Sequence, residues 1–63
     1  MAKLREITPY QVELIEDAVK LLKRARDNLR TGGANNAAAY VARAIKSAEG
    51  AHNHAQRILS TNQ

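Results

Sequence analysis

The sequence predicts an all-α fold: an antiparallel two-helix hairpin that dimerises into a four-helix bundle along an alanine-rich, close-packed seam. Three observations point to it. A capping signature at Thr8–Val12 opens one long amphipathic segment. Thr31-Gly32-Gly33 interrupts that segment. A 4-3 alternation of small apolar residues then runs unbroken from Ala37 to Ile58. The 63 residues make one domain, 1–63. Helix 1 is expected at about 9–30, the loop at about 31–35 and helix 2 at about 36–60.

Helix 1 has four start signals. Thr8 suits the N-cap, and Pro9 suits the first helical position, where its missing N–H costs nothing. Gln11 completes a capping box with Thr8, and Ile7 and Val12 occupy the two positions of a hydrophobic staple. Two apolar stripes follow. One is Val12, Ile15, Val19, Leu22 and Leu29; the other is Leu14, Ala18, Leu21 and Ala25. At about 100° per residue they span roughly 160–180°, wider than one helix–helix seam requires. The opposite face holds Glu13, Glu16, Asp17, Lys20, Lys23, Arg24 and Asp27, with Glu16–Lys20 and Lys23–Asp27 spaced as i,i+4 pairs. Glycine ends the helix, because it tolerates the left-handed conformation common after a C-terminus.

Helix 2 is expected to be N-capped by Asn35 or Asn36. Its seam is Ala37, Val41, Ala44, Ala48, Ala51, Ala55 and Ile58. Small residues there let helix axes approach to near the short end of the usual range of about 8–10 Å. Ala38, Ile45, His52 and Leu59 flank the seam at heptad spacing. Arg43, Lys46, Glu49, Asn53, Gln56 and Arg57 lie outside, Gly50 interrupts the outer side, and Ser60–Gln63 is expected to fray.

A lone hairpin leaves half of helix 1's apolar arc in water. Small scaffolds without staples solve this by association, so a homodimer is expected. Its seam combines Val12, Ile15, Val19, Leu22 and Leu29 with the seven positions of helix 2. Helix 1 is acidic in its first half and basic in its second. An antiparallel helix 1 pair therefore sets acid beside base.

The formal net charge is +4. All of it belongs to residues 20–30, where Lys20, Lys23, Arg24, Arg26 and Arg30 face only Asp27. Such a cluster gives salt-dependent, sequence-independent attraction to nucleic acid. Arg26 departs from the apolar pattern within the arc of Leu22 and Leu29, which fits that reading. The competing explanation is the helix macrodipole, which favours cations near a C-terminus. No aromatic residue interleaves with the cluster; Tyr10 and Tyr40 fit bundle edges.

In length, hairpin plan and small-residue seam the chain resembles the Rop family of small plasmid RNA-binding regulators. The resemblance covers outline only and carries over no residue. It implies that a dimer of hairpins can offer polar groups on one helix face to RNA. A second analogy is with small phage or plasmid proteins that bind and block a host enzyme. The expected function is thus a non-enzymatic regulatory or adaptor protein that binds nucleic acid through helix 1. The alternative is a protein-binding inhibitor or adaptor.

Glu49-Gly50-Ala51-His52 has the Glu-x-x-His spacing of half a di-iron site, with Glu16 near its level. Glu49 and Glu16 are both expected to face outward, so Glu49 and His52 are weak metal candidates and no cofactor is expected. His52 and His54 are two apart and point about 160° away from each other on a helix. No nucleophile–base–acid set and no phosphate-binding loop appears, so no enzymatic activity is expected. The chain has no Cys, no signal segment behind Met1–Arg5 and no apolar run of the roughly 20 residues a membrane span needs. A cytoplasmic protein without membrane contact is therefore expected.

Overall fold

The computed structural model describes residues 7–61. Two helices account for nearly all of them: α1, Pro9–Thr31, and α2, Asn35–Thr61. They pack against each other as an antiparallel hairpin, and among the described residues there are no strands. The molecule is a rod of 45 × 17 × 17 Å.

The start of α1 forms as its residues dictate. The Thr8 backbone N–H donates to Gln11 Oε1 at 3.0 Å, and the Gln11 N–H donates to Thr8 Oγ1 at 3.1 Å. Two N–H groups that a helix start leaves orphaned are thus satisfied reciprocally. Val12 is buried and Ile7 half-buried, as a staple requires.

The loop is a Schellman turn. Gly33 takes φ +81°, the Ala34 N–H donates to Leu29 O at 2.8 Å, and the Gly33 N–H donates to Arg30 O at 3.0 Å. The chain re-enters a helix at once, with the Ala38 N–H donating to Ala34 O at 3.0 Å. This corrects the expected cap of α2. Asn35 and Asn36 already lie in the helix, and Ala34 holds the cap position with no side chain to offer. The turn closes at Ala34 and leaves no residue between it and the helix for a separate cap.

Ser60 and Thr61 belong to α2, where the Thr61 hydroxyl donates to Arg57 O at 2.8 Å; the fraying expected of residues 62–63 lies outside the described residues. So do Met1–Arg5, where a leader was looked for.

Five of the described residues are buried: Val12 and Val19 of α1, and Ala38, Ile45 and Ala55 of α2. Ile15, Leu22, Leu29, Val41, Ala48, His52, Ile58 and Leu59 are half-buried around them. On α1 the stripe expected at the core is the one used. On α2 the packing line is rotated toward the heptad series expected to be its flank, Ala38, Ile45, His52 and Leu59. Ala44 and Ala51 of the expected seam are exposed, while Ala37, Val41, Ala48, Ala55 and Ile58 are at least half-buried. Ile45 explains the rotation: it is the largest apolar side chain at mid-helix and gains most from burial.

Candidate nucleic-acid interface

The hairpin has two long flanks and two ends, and each expected binding residue takes its meaning from them. On one flank, α1 and α2 are bridged by Lys23 Nζ and Glu49 Oε2 at 3.4 Å, with both side chains about half exposed. At about 100° per residue, Glu16 lies on the same flank as Lys23. Glu16, Val19, Lys20, Lys23, Glu49, His52 and Asn53 line an open groove of about 380 Å³ there.

Two of the five cations are engaged. Lys23 reaches across to Glu49. Arg26 lies half-buried in the helix–helix contact and turns its Nε to Asp27 Oδ1 at 3.1 Å. The expected Lys23–Asp27 pair is not formed, because Asp27 is taken by Arg26 and Lys23 by Glu49, and the expected Glu16–Lys20 pair is also not formed. Lys20, Arg24 and Arg30 are exposed and make no ion pair with another described residue.

The macrodipole accounts for little of this arrangement. The dipole effect falls off within one turn of each helix end. The first turn of α1 holds no acid, and its last turn holds only Arg30. Lys20, Lys23, Arg24 and Arg26 therefore have no dipole explanation.

Folding adds cations that a linear reading of the chain misses. The loop half of the hairpin, 21–48, brings Arg43 and Lys46 of α2 beside the basic stretch of α1. That half holds Lys23, Arg24, Arg26, Arg30, Arg43 and Lys46 against Asp27 alone, a net charge of +5. The open half, 9–20 with 49–61, holds Glu13, Glu16, Asp17 and Glu49 against Lys20 and Arg57, a net charge of −2. The rod is polarised end to end. The cations do not form a single stripe on α1 either: helical spacing puts Arg24 and Arg43 on the outer faces of opposite helices. They form a collar around the loop end.

An aromatic also joins the collar. Tyr40 is 68% exposed, with the Arg43 guanidinium carbon 5.8 Å from its ring centroid. Such a ring is a surface on which a base can stack. The signal was present in the sequence, since residues 40–46 must lie beside 22–30 in any hairpin turning at Gly33.

Glu49 does not lie on an outer edge as expected. It shares the groove with Glu16 and His52, yet among the described residues no group of three or more His, Asp or Glu is close enough to hold a metal ion. His52 contributes an oddity: its Nε2 is sealed from solvent and has no hydrogen-bond partner. Among the described residues no helix is long and apolar enough to cross a membrane.

Comparison with protein-family models, with curated proteins and with solved structures finds no match.

Proposed function

We propose that this protein is a non-enzymatic regulatory or adaptor protein that works as a homodimeric four-helix bundle and holds a nucleic-acid backbone against its basic loop end. The end-to-end charge polarity supports this reading. Six cations crowd a half-rod that has one acid, and the helix dipole explains only one of them. Arg24, Arg30, Arg43 and Lys46 contact phosphates, while Tyr40 offers a ring for an unpaired base. Lys23 and Arg26 play a structural part, held by Glu49 and Asp27. The cytoplasm is the compartment in which such a protein meets its target.

Fluorescence anisotropy with a labelled single-stranded RNA of about 20 nucleotides and a duplex DNA of equal length tests the reading. Binding at 50 mM salt that weakens at least tenfold by 200 mM is the expected result, since each phosphate contact releases a counterion. Arg24→Ala, Arg30→Ala and Arg43→Ala together abolish it. Absence of binding at 50 mM salt overturns the reading.

A second reading, a protein-binding inhibitor or adaptor, is favoured by one observation. Leu14 and Leu21 are 48% and 63% exposed on a rod with a very small core. Unchanged affinity for a protein target in the triple Arg variant, with no nucleic-acid binding by the parent, would favour it.

A further inference from the structure

The apolar flank carries enough information to fix how a second copy sits on it. The flank opposite the Lys23–Glu49 pair is formed by Leu14, Ala18, Leu21 and Ala25 of α1 and by Ala44 and Ala51 of α2. None of these six is fully buried, and only Ala25 is half-covered. Leu14, Ala18, Leu21 and Ala25 repeat at 4-3-4 spacing, as do the small residues of α2, so both stripes are shaped for helix partners.

Two hairpins stacked flank to flank by a two-fold axis have two arrangements. With the axis along the rod, α1 lies over the partner's α2 and both loops share one end. With the axis across the rod, α1 lies antiparallel over the partner's α1, α2 over the partner's α2, and the loops lie at opposite ends. The first stacks a +5 half on a +5 half. The second stacks +5 on −2.

We propose that a second copy docks on this flank in the crosswise arrangement, with the two-fold axis passing near residues 19–20 of α1. This rests on the dimer of the preceding reading and adds its orientation and register. Two independent features meet there. Leu14 then faces the partner's Ala25, and Ala18 faces the partner's Leu21, so large meets small in every layer. Finally, Asp17 and Arg24, which rim one shallow hollow with Lys20 and Leu21, are one heptad apart beside the leucine stripe. Antiparallel pairing brings Asp17 to the partner's Arg24, and symmetry makes that contact twice.

A consequence follows for binding. The two basic loop ends point away from each other along the bundle, so the dimer has two separate cationic tips and can hold two nucleic-acid segments at once.

The parent has no cysteine among its residues. A single Thr31→Cys variant carrying a nitroxide label, with mass measured by light scattering, tests the proposal by electron–electron distance. In the crosswise dimer the labels stand about 35 Å apart, from the helical rise between the axis and residue 31. A dimer with labels within about 20 Å overturns the arrangement and leaves dimerisation standing. A monomer at 100 μM overturns both. Asp17→Arg and Arg24→Asp each weaken association by about 2- to 30-fold, and the double variant restores it. Both sites are exposed, so the fold is kept; a double variant no tighter than the singles overturns the register.

Discussion

The two flanks of the hairpin solve the same problem, how to finish a helix–helix contact, in opposite ways. One flank closes with charge: Lys23 spans to Glu49 over a groove shared by Glu16 and His52. The other does not close at all, and leaves Leu14 and Leu21 in water beside Ala44 and Ala51. A hairpin complete in itself would be polar on both flanks. On the proposed dimer the polar flank is a boundary of the fold and the apolar flank is the interface. The asymmetry also separates association from stability, so substitutions on each flank move different observables.

The largest effect is expected on the apolar flank. Leu21→Glu removes about 2 kcal/mol of leucine burial per copy. A two-fold interface loses it twice, so the dissociation constant rises about 1,000-fold, given about 1.4 kcal/mol per decade. Sedimentation equilibrium reads this directly. Helicity of the monomer is expected to change little, since Leu21 is 63% exposed. Unchanged association would remove the functional distinction between the flanks.

Next in size is the line between the flanks. Ile45 is the largest of the five buried residues. Ile45→Ala costs about 2–5 kcal/mol. That is comparable with the whole stability of a scaffold this small. Loss of cooperative urea unfolding, followed by circular dichroism, is the expected outcome. Lys46→Gln, one residue away, exposed and off the apolar flank, is expected to leave unfolding within about 0.5 kcal/mol of the parent.

That contrast marks where the sequence was legible. The start of α1 was readable to the atom, because a capping box is a local code and Thr8, Pro9, Gln11 and Val12 satisfy it without help from the rest of the chain. The stop at Gly33 was readable for the same reason. The packing line of α2 was not. Alanines at 37, 44, 48, 51 and 55 establish a period, but a period does not say which side of a wide apolar arc meets α1 and which is left over. Ile45 decides that through tertiary packing. The reach of Lys23 to Glu49 was hidden for a related reason: the i,i+4 partner Asp27 is visible in sequence, whereas the cross-helix partner depends on register. The binding end was half legible. The basic stretch of α1 was plain, and its completion by Arg43, Lys46 and Tyr40 needed only the hairpin to be folded on paper about Gly33.

The glycines sharpen the comparison at the scale of about 1 kcal/mol. Gly50 lies mid-helix with nothing within 4 Å of where a Cβ would stand. Gly50→Ala is therefore expected to stabilise the hairpin by about 1 kcal/mol. Gly33 also has open space, but its φ of +81° strains any L side chain. Gly33→Ala is expected to cost about 1 kcal/mol. Opposite signs for one chemical change, measured by thermal unfolding, check that backbone conformation and not crowding governs both sites.

The smallest effect belongs to the Lys23–Glu49 pair, and its size is what identifies the polar flank as a boundary. The Lys23–Glu49 pair is half exposed on both sides, and such pairs contribute about 0.2–1 kcal/mol because water screens them and long side chains lose entropy. A double-mutant cycle with Lys23→Met and Glu49→Gln is expected to give a coupling in that range, and to lose most of it at 1 M salt, where the Debye length is about 3 Å. His52 provides the internal control, because its unpartnered Nε2 costs about 1–3 kcal/mol of desolvation that no contact offsets. His52→Leu keeps the volume and removes the orphan, so it is expected to stabilise the hairpin without changing the salt dependence. A coupling well above 1 kcal/mol, or one indifferent to salt, would mean that the groove is sealed when the dimer forms, and the flank read here as a boundary would have to be counted as a second interface.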